Sequence, residues 1–413
     1  MFKLNNNSHI IVIVSVITGI SLLGDSMLYI TLPIYLEDVG LDSIWQVGIL
    51  LSINRFIRLP FSPIVGWIYS KISLKTGLMI AILLGSFTTL GYGVFNGFLA
   101  WIILRALWGI AWSFFRIGGL SIVATAAEEN NGKSIGLYNG IYRLGSLIGM
   151  LAGGLLVPIL GIDLVSIIFG CLTLIGLPLI LLFINGQSPS QVEVKGKETK
   201  TEKRPFIQRL QKKYLMIIFT GFCITMLFQG IFTSTLSPVI ENHYGEIIYL
   251  FGTAVSVTFF SGVLQSARWV WEPFLGVRFG HWSDGAKGRM PILILTLTIT
   301  SLIFWTISMD LPLFLFITNT FLVLIAATSL TTVVDAIALD FSKKTNEVSV
   351  SFLTSYSIAQ DFGASIGPFI SFMLIELENG FSYIYFGSSV LFFVLALLWF
   401  ISSNGSFKQS PII

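Results

Sequence analysis

Apolar stretches long enough to cross the hydrocarbon layer of a bilayer, about 20 residues each, recur along nearly the whole of this chain. Of its 413 residues 54% are hydrophobic and 11% charged, against roughly a quarter charged in a soluble domain. A soluble fold of this length would lack the polar residues to cover itself. The solvent for most of the chain is lipid.

The apolar pattern predicts twelve helical spans, at 10–36, 44–70, 76–96, 98–126, 133–158, 163–185, 213–240, 247–279, 290–309, 312–340, 347–375 and 379–402. With that count and both termini on one side, Lys3, Lys71, Lys75, Lys133, Lys287, Arg289, Lys343, Lys344 and Lys408 fall on that side, with Arg278 at its boundary. The opposite loops carry only acids, among them Glu37, Asp38, Asp42, Asp163, Glu241, Glu246, Asp310, Glu376 and Glu378. The positive-inside bias then places both termini in the cytoplasm. The first span is too long for a cleaved signal peptide and is interrupted by Gly24-Asp25. Cys171 and Cys223 lie inside spans and form no disulfide framework.

Between spans six and seven lies a polar stretch with the run Lys195-Gly-Lys-Glu-Thr-Lys-Thr-Glu-Lys-Arg204. It reads as a solvated cytoplasmic linker, 187–212, lying against anionic headgroups rather than as a nucleic-acid site. On either side are an N-terminal six-helix bundle, 1–186, and a C-terminal one, 213–413. The halves repeat. Arg55, Pro60 and Phe61 recur as Arg268, Pro273 and Phe274, 213 positions later, and Gly66 as Gly280 after 214. Gly145-x3-Gly149 recurs as Gly363-x3-Gly367 at an offset of 218. The fold class is therefore an all-α membrane protein of two six-helix pseudo-repeats. Parallel repeats of this kind put a solute pathway at their interface, near the bilayer midplane.

An ionisable group inside a span costs at least a few kcal/mol unless it faces a partner or a hydrated cavity. Ten qualify: Asp25, Arg55, Arg58, Arg105, Arg116, Arg143, Arg268, Glu272, Asp335 and Asp361. Spans three, six, nine and twelve carry none, which predicts that these four face lipid while the rest surround a wet centre. All six bases are arginine, whose planar guanidinium grips carboxylate or phosphate with two parallel bonds. Two readings stay open: a cavity attractive to anionic groups, or ion pairs with the acids that hold the bundle together. Asp25, near the middle of span one, is the first candidate for proton coupling, because desolvation and an arginine neighbour pull its protonation in opposite directions. Asp361, midway along span eleven, is the second, and Asp335 reads as a gate or structural contact. Arg55, Arg58, Arg116, Arg143 and Arg268, with Gln229, Trp112, Tyr142 and Trp269, are the candidate solute-binding residues, and Trp108, Tyr138, Phe228 and Trp271 are further candidate linings.

The glycines of span five, Gly136-x8-Gly145-x3-Gly149-Met150-x2-Gly153-Gly154, resemble the glycine-rich motif of proton-coupled drug antiporters in the major facilitator superfamily, with Met150 where that family usually has proline. The echo in span eleven, Gly363-x3-Gly367-Pro368, retains the proline. Arg105-x3-Gly109 resembles the family's arginine motif, associated with proton coupling, and Gly66, Lys71 and Lys75 resemble its loop motif, although Ser70 and Ser73 replace the aspartate and second glycine. The second-half copy, Gly280, Asp284, Gly288 and Arg289, is better preserved but has an extra residue. The resemblance runs from span one to span twelve. It implies a rocker-type alternating-access transporter of a small solute, driven by protons, without a cofactor or metal, and expected to work as a monomer in a bacterial inner membrane. The span-five motif favours export and the arginine surplus favours an anionic or zwitterionic solute, which leaves proton-linked import of an organic anion as the alternative. An enzyme would need a nucleophile with its base or a metal cluster. The three histidines, His9, His243 and His281, lie far apart at helix ends, and no H-E-x-x-H or Gly-x-Ser-x-Gly occurs. A transporter-like sensor would normally carry a soluble output domain, and no stretch is long enough for one.

Overall fold

The computed structural model describes residues 6–126, 131–184, 212–250, 252–284, 288–344 and 349–407. Most of the expected linker, together with Lys3, Lys287 and Lys408, lies outside them. The helices are α1 (Asn6–Thr31), α2 (Ile44–Tyr69), α3 (Leu74–Tyr92), α4 (Phe98–Ala126), α5 (Asn131–Leu174), α6 (Gly176–Phe183) and α7 (Lys212–Thr225). A π-helical segment, Met226–Phe232, joins α7 to α8 (Thr233–Tyr244). Two short strands, β1 (Ile247–Leu250) and β2 (Thr253–Ser256), precede α9 (Val257–Ser283), α10 (Arg289–Thr306), α11 (Leu313–Lys344), α12 (Ser349–Ile375) and α13 (Gly380–Phe407).

Helices answer the demand that lipid makes on the backbone, since each N–H and C=O is bonded within the segment. Hydroxyls are hidden the same way. In α1, Ser15, Thr18 and Ser21 donate to the carbonyls of Ile11, Val14 and Ile17 at 2.6, 2.8 and 3.0 Å. Large apolar side chains such as Leu182, Phe274 and Phe314 are exposed. In water such surface would drive association, but against acyl chains it is the ordinary boundary.

Among the described residues nine segments are long and apolar enough to cross a membrane, fewer than the twelve spans expected. The difference has physical causes. Spans five and six run together as one segment, Ser134–Phe183, in which Gly161 leaves the helical region (φ 81°, ψ 156°), inside the gap the sequence left at 159–162. Polar and charged residues with internal prolines, Arg55, Arg58 and Pro60 in α2 and Arg268, Glu272 and Pro273 in α9, lower the hydropathy of those two helices. The expected helix at 247–279 is corrected at its start, because residues 247–256 form the strands and helix begins at Val257. Positive φ at Gly245 and Gly252 (80° and 82°) bends the chain there, and the β-branched and aromatic residues of Ile247-Ile-Tyr favour extended backbone. α1 stops at Thr31 rather than 36 because Pro33 disfavours helical geometry at Leu32.

The chain divides into two compact units. The first takes in the described residues up to 184 together with 249–266, and the second takes 212–248 and 267–407. In the first, α5 lies along α1, and α4 packs against α2 and α3. Tyr69 closes its core, donating to the carbonyl of Phe114 at 2.9 Å. In the second, α12 packs along α7 and the π-helical segment, and α10 pairs with α13. Ser301 Oγ of α10 donates to the carbonyl of Ser389 at 2.9 Å, and Trp399 Nε1 of α13 donates to Thr220 Oγ1 of α7 at 3.0 Å.

Candidate functional site

α1 carries Asp25 into the packed interior of the first unit, where its side chain is almost fully buried. Its Oδ1 accepts from two donors at once, Arg105 Nη1 of α4 at 2.5 Å and Asn54 Nδ2 of α2 at 2.8 Å. Arg105 is wholly buried and also donates from Nε to the carbonyl of Leu50 at 2.9 Å. The amide of Asn54 carries the link outward, because its Oδ1 accepts from Arg58 Nη2 one turn along α2. Asp25, Asn54, Arg58 and Arg105 thus form one continuous polar network on three helices. Leaving a buried charge of this kind without its partner costs about 3–5 kcal/mol. α2 and α4 come close enough for the network because Gly109 has no side chain. A Cβ there would stand 2.3 Å from the carbonyl oxygen of Asn54.

Arg58 leaves the network against two indoles, its guanidinium carbon 5.6 Å from the Trp108 ring and 5.2 Å from the Trp112 ring. Those indoles stack at 5.9 Å, and Trp112 meets the ring of Tyr142 edge-on at 5.9 Å. Arg116, half-buried, donates from Nη1 to Tyr142 Oη at 3.2 Å and Asn139 Oδ1 at 3.3 Å, and lies 5.9 Å from the Tyr142 ring. Arg55 donates from Nε to Tyr29 Oη at 3.2 Å. Arg143 is half-buried on α5. The structure therefore brings Arg58, Arg105, Arg116, Trp112 and Tyr142 into one connected array and sets Arg55 beside Tyr29.

In the second unit Arg268 pairs with Glu272 one turn on (3.3 Å) and stands 5.6 Å from the Trp269 ring. Gln229 is half-buried on the π-helical segment. Asp335 Oδ1 accepts from Tyr356 Oη at 2.7 Å and Gln360 Nε2 at 3.1 Å. Asp361, next to Gln360, is exposed, and no hydrogen bond or ion pair among the described residues reaches it. No group of three or more His, Cys, Asp or Glu that could hold a metal ion occurs among the described residues.

The glycines of α5 are a seam against α1. A Cβ on Gly145 would lie 2.0 Å from the carbonyl oxygen of Gly19, one on Gly149 2.5 Å from that of Leu23, and one on Gly153 2.4 Å from Met27 Cγ. Gly154 faces α9 instead, where a Cβ would come within 2.5 Å of the Thr258 carbonyl oxygen, and Thr258 Oγ1 donates back to the Gly154 carbonyl at 3.0 Å. Gly363 and Gly367 repeat the seam in the second unit. Their Cβ atoms would fall 2.3 Å from the Phe222 carbonyl oxygen and 2.6 Å from Gly230 Cα, with Pro368 beside Gly230.

The sequence profile of the Major Facilitator Superfamily matches residues 14–283, well over half of the chain. The chain belongs to the Major Facilitator Superfamily. Multidrug resistance protein MdtG of Proteus mirabilis (strain HI4320) is 25% identical over 381 residues, 91% of either chain. Among solved structures, a peptide transporter, POT, in complex with sulfate superposes with a TM-score of 0.78 at 12% identity, covering 98% of this chain and 95% of that one. The nucleoside transporter NupG gives 0.76 at 14%, over 96% and 99%. At these identities the structural likeness concerns the fold. The chain is a multi-pass membrane transporter of this superfamily.

The loops whose residues resemble the superfamily's loop motif differ between the units. In the first, Gly66 and Lys71 are exposed, Gly66 has open space beside it, and Lys75 Nζ donates to the Leu181 carbonyl at 3.1 Å. In the second, Arg289 clamps two acids, Asp284 at 2.9 Å and Asp340 at 3.0 Å, close to Gly280 and Gly288. Gly136 also has open space, so packing does not require its small size. Sequence reasoning passed over Asn54, which joins Asp25 to Arg58, and Asn139, which holds Arg116. The available signal was a polar amide inside a span at helical spacing from an arginine: Asn54 is four positions before Arg58.

Proposed function

We propose that this transporter exports a small solute across the bacterial inner membrane in exchange for protons, by alternating access, as a monomer with both termini in the cytoplasm. In this reading two tandem halves, 1–186 and 213–413, are joined by the basic linker 187–212, and the solute is anionic or zwitterionic. The observation that carries the proposal is the buried Asp25–Arg105 pair with its extension through Asn54 to Arg58. Protonating Asp25 neutralises the acceptor that Arg105 and Asn54 share. Both donors then lose a charged partner, and the packing of α1, α2 and α4 around them must readjust. A proton is thereby coupled to a rearrangement of helices. Likeness to a protein named for multidrug resistance, over 91% of both chains, supports export.

A second reading, proton-linked import of an organic anion, draws on Arg116, a half-buried guanidinium whose partners among the described residues are neutral. Direction separates the two. In proteoliposomes holding a pH-sensitive dye, wild type is expected to move protons when a substrate is added, and Asp25→Asn to lose that response. Proton movement by Asp25→Asn equal to wild type would remove Asp25 from coupling and turn attention to Asp361. Solute accumulation in inside-out but not right-side-out vesicles is the result expected of an exporter, and the reverse would establish import.

A further inference from the structure

On α4 the side chains of Trp108, Trp112 and Arg116 follow one another at steps of four residues, so they lie along one face of the helix. Asn139 and Tyr142, three apart on α5, share a face in the same way and meet that stripe. All of these residues belong to the first unit. Trp108 is wholly buried and stacks on Trp112, and the wholly buried Tyr138 stands 5.1 Å from the ring of Tyr142. The two buried rings thus fix the two outer ones. Trp112 and Tyr142 pack against the core of the unit while part of each stays exposed, and they meet edge-on at 5.9 Å.

Arg116 stands at the end of this aromatic surface, half-buried within a span. Both of its hydrogen bonds leave from Nη1, and at 3.2 and 3.3 Å they are longer than the usual distance of about 2.9–3.0 Å. Nε and Nη2, the two donors along one edge of the guanidinium, have no acceptor among the described residues. The partners of Arg116 are an amide, a phenol and a ring, none of which answers its charge. Asp25, the acid within α1, is taken by Arg105 and Asn54. A cation inside a span is retained where it faces water or a charged solute.

We propose, resting on the transporter reading above, that the first unit holds a carboxylate of the solute at Arg116 and its ring against Trp112 and Tyr142, so that the solute is an aromatic carboxylate. The Nε and Nη2 edge offers the parallel pair of bonds that a carboxylate accepts. The half-exposed indole and phenol beside it offer stacked or edge-on contact to a second ring. Tyr142 serves both ends, since its hydroxyl steadies Arg116 while its ring forms part of the wall.

The test uses the full-length protein in lipid nanodiscs at neutral pH, with binding read from the probe concentration that raises the unfolding temperature. The probes are phenylacetate, phenylacetamide, which keeps the shape but lacks the charge, and cyclohexylacetate, which keeps the charge but lacks the aromatic ring. Wild type is expected to bind phenylacetate about tenfold to a hundredfold more tightly than phenylacetamide, the range a charged hydrogen bond supplies. It should prefer phenylacetate to cyclohexylacetate by about twofold to tenfold, the range of an aromatic pair. Arg116→Gln should erase the first preference and keep the second, and Trp112→Leu should do the reverse. If Arg116→Gln fails to fold, Arg116→Lys, which keeps the charge but loses the fork, should reduce the first preference without touching the second. No binding of any probe, equal binding of all three, or a first preference unchanged by the Arg116 variants would overturn the proposal. Asp25→Asn should leave the order of the probes intact. That order in a wild type that moves no protons would sink the coupling reading while Arg116 keeps its role. Proton movement triggered by other solutes, with the three probes bound alike, would overturn the aromatic-carboxylate site and leave the transport reading standing.

Discussion

Asp25 Oδ1 serves Arg105 and Asn54 together, so stability and coupling are separable at the level of single side chains. Arg105→Leu leaves a buried carboxylate without its cation and is expected to cost about 3–5 kcal/mol. The double replacement of Asp25 and Arg105 by Leu removes both charges, and because apolar substitutes for a buried pair are often neutral, most of the lost thermal stability should return. Proton movement in proteoliposomes should not return with it. Recovery of both would show that the pair has no part in coupling. Asn54→Leu keeps the ion pair but cuts the path to Arg58. It is expected to fold with an unfolding temperature between those of wild type and Arg105→Leu, since a hydrogen bond to a charged group contributes about 1.5–3 kcal/mol, and to lose most of its solute-triggered proton movement; a variant with wild-type response would remove Asn54 from the network's function. The charged members of this network were legible in the sequence because an ionisable group inside a span demands a reason. Asn54 was not, since an uncharged amide makes no such demand and only its neighbours in space reveal the bridge.

Helix pairs are set by where side chains are missing. Gly145 meets the backbone of Gly19, and a Cβ there would come within 2.0 Å of a carbonyl oxygen, so the backbone itself must move to admit any substituent. Gly145→Val is expected to cost at least about 1–3 kcal/mol, the usual range for overpacking, and to lower yield and unfolding temperature. Gly136→Ala, in open space, should be neutral or slightly stabilising, since alanine is the better helix former by about 1 kcal/mol. Equal losses from both would mean that the seam is not what makes the motif matter. The spacing of these glycines could be read in advance, but their partners could not. Three face α1, Gly154 faces α9 and Gly136 faces nothing within 4 Å, because a one-dimensional pattern marks where a close approach is allowed and not what approaches. The strands before α9 were missed for a related reason. Hydropathy alone ran the apolar pattern through residues 247–256, while the positive φ of Gly245 and Gly252 redirected the backbone.

At the scale of the chain the partition of charge between loops predicts orientation. In a background with Cys171 and Cys223 replaced by Ser, Asp42→Cys is expected to react with a membrane-impermeant thiol reagent added to intact cells, and Gly196→Cys only after the membrane is opened. The opposite pattern would invert the topology. Length, hydropathy and the bilayer's thickness determined by themselves that this is a helical membrane protein, because lipid leaves the backbone few ways to satisfy its hydrogen bonds. The charged positions, the glycine spacing and the resemblance to a transporter family were equally on the surface of the sequence. Tertiary structure alone decided which charge answers which. It set Asp25 against Arg105 with Asn54 as the bridge, and gave Arg58 to two indoles. Pairing of this kind depends on distances of a few ångströms between helices far apart in the chain. Such distances are fixed by how the helices pack, and no local pattern of residues encodes them.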